Sequence, residues 1–123
     1  MPRLLLNLLR AAYCVLLAGI VVAALLPNVQ TGILAGNDKL QHFGAFFTLA
    51  ALARLLWRRL HPAWPLLHLT AVGGAIEVLQ WVMGLGREGD WRDMAVNLAG
   101  IALGLCAAQL VLAAFDRTQQ VAR

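Results

Sequence analysis

The chain has 123 residues, 61% hydrophobic and only 13% charged, with a mean hydropathy of +0.73, against about 45–50% apolar and about 25% charged for soluble domains. A chain this short buries only about two-thirds of the surface its unfolded form exposes, so a soluble globule of this composition would leave large apolar patches in water. A soluble fold is therefore excluded in favour of the bilayer, and the net charge of +4 does not point to nucleic acid, because the basic residues sit between apolar runs.

One domain is expected over 1–123, with no internal repeat and no long linker. A membrane crossing takes about 20 apolar residues as a helix, and four stretches meet or approach that length. The first covers about 4–26 and stops before Pro27. Arg3 and Arg10 lend it the look of a secretory signal, but no small-x-small cleavage site precedes Pro27, so an uncleaved helix is expected. The second covers about 39–57 and contains His42 and Arg54, the latter expected to snorkel toward headgroups. The third covers about 63–85 and holds His68, Glu77 and Gln80; the fourth covers about 92–115, with Asn97 near its start and Gln109 near its end. The predicted architecture is an all-α, integral-membrane four-helix bundle. Cys14 and Cys106 each lie inside an apolar run and read as small apolar fillers.

Orientation follows the distribution of Lys and Arg. The N-terminal tail, the second loop and the C-terminus carry Arg3, Arg10, Arg54, Arg58, Arg59, Arg117 and Arg123, while the first and third loops carry only Lys39, Arg87 and Arg92. Both termini are expected in the cytoplasm, in the inner membrane of a cell. Trp57 and Trp64 then fall at the inner interface and Trp81 and Trp91 at the outer, as aromatic belts require. Gly100 and Gly104 form a small-xxx-small pair that lets backbones approach closely, first within the bundle and alternatively against a second copy of the chain.

Threading the four spans brings nine polar residues to the outer side: Asp38, Lys39, His42, Glu77, Gln80, Arg87, Asp90, Asp93 and Asn97. Charged groups in or beside membrane spans are costly, so such a cluster is a functional-site hypothesis. Asp38 and His42, Glu77 and Gln80, and Asp93 and Asn97 are spaced three or four apart, so each pair shares a helix face. Asn37 or Asp38 is placed to cap the second helix. The glycine-rich segment 84–90 can fold over the cluster, with Arg87 the natural partner for Glu77 or Asp93. Asp93 has Arg92 as a second candidate partner.

The residue types suit proton handling by His42 and Glu77 with Asp93 beside them, and anion binding by Lys39 and Arg87 with Asp38, Gln80, Asp90 and Asn97 arranging the ligand. His42, Glu77 and Asp93 include metal-ligand types, but no dense ligand spacing occurs and no metal is expected. Serine is absent from the chain, which argues against a serine nucleophile. No residue pattern names a cofactor.

Asp38-Lys39-x-x-His42 followed by Phe46 and Phe47, then Glu77-x-x-Gln80, Gly86-Arg87, and Asp93-x-x-x-Asn97-x-x-Gly100-x-x-x-Gly104 together resemble the ordered motifs of the VanZ-like membrane proteins over about 37–105. The resemblance implies a small multi-helix protein of the bacterial envelope, in a family whose named member lowers susceptibility to the glycopeptide teicoplanin. It supplies no mechanism. Three functions are therefore weighed: an outward site that binds or modifies a cell-wall or lipid-linked molecule, a non-catalytic assembly subunit using Gly100 and Gly104, and a proton-coupled carrier. Membrane lipids or a lipid-linked wall precursor are the expected partners.

Overall fold

The computed structural model describes residues 2–26, 37–84 and 91–121. Four helices follow in chain order: α1 (Arg3–Leu25), α2 (Asp38–Leu56), α3 (Ala63–Met83) and α4 (Trp91–Val121). Their ends have local causes. Leu26, which precedes Pro27, is extended, since a proline ring disfavours the helical conformation in the residue before it. Asn37 caps α2, its Oδ1 accepting from the Leu40 N–H at 3.1 Å. Pro65 lies in the first turn of α3, where its missing N–H removes no intrahelical bond. Gly84 closes α3 in the left-handed region at φ 58°, a conformation that glycine adopts without penalty. The fourth helix runs to Val121 rather than to about 115; its last turns are polar, and Arg58 reaches Asp116 at 3.2 Å to hold them.

Side-chain pairs fix the helix directions. Lys39 meets Asp93, Arg54 meets Gln109, and Arg58 meets Asp116, so α2 and α4 run parallel along the whole of α2. Gln80 reaches Ala24, and Arg10 reaches Leu56, so α1 and α3 run opposite to that pair. The contact between α2 and α4 is the most extensive in the chain, and the two glycines explain it. A methyl group on Gly100 would stand 2.7 Å from the Phe43 carbonyl oxygen, and one on Gly104 would overlap the Phe47 carbonyl. Only glycine permits that approach. The Gly100 and Gly104 face is thus filled by α2 from the same chain.

Phe46, Leu49, Ala50 and Ala53 of α2, Leu69 and Ile76 of α3, and Ile101 of α4 make the core. The first helix contributes only Tyr13 to the buried set and turns most of its leucines outward. Outward leucine is stable where the surroundings are lipid. By length and composition α1, α3 and α4 can each cross a membrane, whereas α2 is not apolar enough to do so by that measure. The reason is its position: α2 carries Asp38, Lys39, His42 and Arg54 and spends its surface on the other helices instead of on lipid.

Candidate functional site

Because α2 and α4 are parallel, their N-terminal turns lie side by side at one end of the molecule, and five of the nine polar residues, Asp38, Lys39, His42, Asp93 and Asn97, meet there. With Asn37 serving as the cap, Asp38 is available to the site rather than spent on the helix end. One turn further, the His42 ring is 7% exposed and its Nδ1 lies 3.0 Å from Asn97 Oδ1. An amide oxygen only accepts, so Nδ1 carries the proton and donates, which leaves Nε2 as the basic nitrogen of the neutral ring. Nε2 lies 3.9 Å from Asp38 Oδ1, beyond hydrogen-bond length.

Asn97 is fully buried, and its Nδ2 has no hydrogen-bond partner among the described residues. Gly73 makes room for it: a methyl group at that position would come within 3.2 Å of Nδ2. A buried amide with half its capacity unused carries a desolvation penalty, and here that penalty is borne by the residue that orients the histidine. Glu77 sits one turn beyond Gly73 toward the same end of α3, with its Oε1 buried.

Asp93 is buried and bonded to Lys39, Nζ to Oδ1 at 2.9 Å. Among the described residues its partner is Lys39 from α2, which the sequence had not offered; Arg87, one of the two partners considered there, lies outside the described residues. Lys39 serves as a counter-charge to Asp93 before it serves any ligand. Arg92 lies over the Trp91 ring, 5.9 Å from its centroid. Asp38, His42 and Asp93 each offer one ligand atom within 4.8 Å of the others, a donor set of the kind divalent cations take. Asp38 thus replaces Glu77 in the trio considered from sequence, and the Lys39 ammonium already supplies positive charge at Asp93.

Gln80 departs from the cluster. Its Nε2 donates to the Ala24 carbonyl at 2.8 Å, so the side chain fastens the end of α1 to α3. Arg87 and Asp90, expected as ligand-binding groups, lie outside the described residues.

At the opposite end the structure shows a buried arginine, paired across to α4, that hydropathy reading missed. Arg54 does not snorkel outward; it is 9% exposed, with Nε donating to Gln109 Oε1 at 2.8 Å and Nη1 to the Arg58 carbonyl at 3.0 Å. The available signal was one lone polar residue near the same end of each of two apolar helices. His68 stacks on Trp64, and His61 accepts from the Ala63 N–H, so neither takes part in the cluster.

A family model described as VanZ/LLP1 matches residues 5–112, which includes the whole stretch from Asp38 to Asn97. No curated protein and no solved structure matches the chain.

Proposed function

The chain belongs to the VanZ/LLP1 family and is a membrane protein, and from that premise we propose that its polar end binds, and acts by proton transfer on, a cell-wall or lipid-linked molecule. The observation that carries this reading is His42, buried and aimed by the amide of Asn97, with its basic nitrogen turned toward carboxylate. A histidine whose tautomer is fixed by one neighbour and whose other nitrogen faces a polar cluster is arranged as a general base. Glu77 and Asp93 complete the proton-handling set; Asp38, Lys39, Asn97 and, from outside the described residues, Arg87 and Asp90 hold the ligand. The chain spans the cytoplasmic membrane as a four-helix bundle with both termini inside, so the site opens outward to the wall side.

Two other readings are weaker on specific grounds. A proton-coupled carrier needs polar groups across the bilayer, yet Phe46, Leu49, Leu69 and Ile101, each at most 1% exposed, fill the interior between the His42 level and the Arg54 level. An assembly subunit built on Gly100 and Gly104 would use a face that α2 already occupies.

Teicoplanin susceptibility of cells expressing the chain provides the test. Expression is expected to shift it, and His42→Ala, Glu77→Gln and Arg87→Ala are expected to abolish the shift while the variants still insert. If all three insert normally and leave the shift intact, the reading is lost.

A further inference from the structure

At the end opposite the polar cluster, a cleft of about 1030 Å³ opens between α1, the C-terminal turn of α2 and α4. Its volume is at the upper limit of ligand pockets, which run to about 1,000 Å³. Arg3, Leu6, Asn7 and Arg10 form its α1 wall, at the spacing that places them on one helix face. Leu55 to Leu60 form its floor, and Val111, Leu112 and Phe115 its α4 wall. Among the described residues four arginines line it, Arg3, Arg10, Arg58 and Arg59, and no carboxylate does.

The arginines are not equivalent. Arg10 is held in place, with Nε and Nη2 on the Leu56 carbonyl and the guanidinium 5.3 Å from the centre of the Trp57 ring. Arg58 is half-committed to Asp116. Arg3 and Arg59 make no ion pair among the described residues and are exposed. The cleft therefore combines fixed and available cationic groups at its rim with an apolar wall of Leu6, Leu56, Val111 and Phe115. An aqueous anion would have no use for that wall, and an acyl chain would have no use for those charges.

We infer that the cleft binds one anionic phospholipid, with its phosphate among Arg3, Arg10 and Arg59 and an acyl chain along Val111 and Phe115. Basic pockets between membrane helices recognise anionic headgroups by this combination. The site lies at the other end of the molecule from His42, so it stands or falls independently of the proposed function.

Trp57 is a reporter built into the floor. A chain keeping it as the sole tryptophan, through Trp64→Phe, Trp81→Phe and Trp91→Phe, would be reconstituted in phosphatidylcholine vesicles containing brominated phosphatidylglycerol or brominated phosphatidylcholine at equal fractions. Quenching is expected to be stronger with the anionic lipid. Arg3→Gln and Arg59→Gln should each weaken its apparent affinity by about five-fold, Arg3→Lys should retain most of it, and Arg117→Gln, on α4 outside the cleft, should leave it unchanged. Circular dichroism and elution volume establish that each variant is folded, and Arg3 and Arg59 hold no side-chain bond whose loss would unfold it. Equal quenching by the two lipids overturns the inference, as does an Arg117→Gln effect equal to that of Arg3→Gln, or displacement of the lipid by soluble glycerol phosphate.

Discussion

Lys39 is half-exposed, but the carboxylate it holds is not: the Asp93 side chain is 9% accessible, at 2.9 Å from the ammonium. Removing the lysine leaves a buried acid without this counter-charge, whereas removing both partners does not. Lys39→Met is expected to lower stability by about 1–2 kcal/mol, below the range for fully buried pairs because the lysine is partly solvated. Adding Asp93→Asn should recover most of that loss, as read by thermal unfolding in detergent. Spacing alone predicted which residues share a face, and for Asp38 with His42 and Asp93 with Asn97 those faces do meet. Gln80 shares its α3 face with Glu77 by the same rule, yet it bonds to α1. Helical period says what stands together on one helix; it does not say which neighbour that face will meet. Arg54 follows the same logic, since snorkelling and inward pairing begin from identical positions on α2, and partners such as Gln109, far away in sequence but on the neighbouring α4, decide between them.

At the scale of elements, the parallel pair α2 and α4 carries the site, and two glycines set its separation. Gly100→Ala and Gly104→Ala both place a methyl group against carbonyl oxygens of α2. Each should destabilise by about 1–3 kcal/mol, the usual range for overpacking, and should displace His42 from Asn97. Gly19 on α1 has nothing within 4 Å of where its methyl would go, so Gly19→Ala should be neutral or stabilising by up to about 1 kcal/mol. Unfolding of the three variants in one detergent, compared side by side, checks both expectations. Helix number and most boundaries were legible because apolar length and proline or glycine punctuation are local properties. The extra turns of α4 were not, because hydropathy marks where lipid-compatible sequence ends and a helix held by Arg58 and Asp116 continues past that point.

For the whole molecule, the described residues separate two chemistries by an apolar middle: histidine with carboxylates at one end, arginines at the other. The proposed orientation, with both termini cytoplasmic, predicts that a cysteine placed by Trp91→Cys reacts with an impermeant maleimide in intact cells and one placed by Thr118→Cys only after the membrane is opened; the reverse pattern would invert the molecule. Such labelling is read against Cys14→Ala and Cys106→Ala, since both native thiols are exposed on their helices. The modest apolarity of α2 reaches beyond the finished structure. Three helices are long and apolar enough to enter lipid, but α2 is made before α4, the helix that shelters it most fully. During synthesis the contacts of Phe43 and Phe47 with Gly100 and Gly104 can form only once α4 has been made. The polar site, which takes His42 from α2 and Asn97 from α4, is thus a late product of translation although its first half is made early.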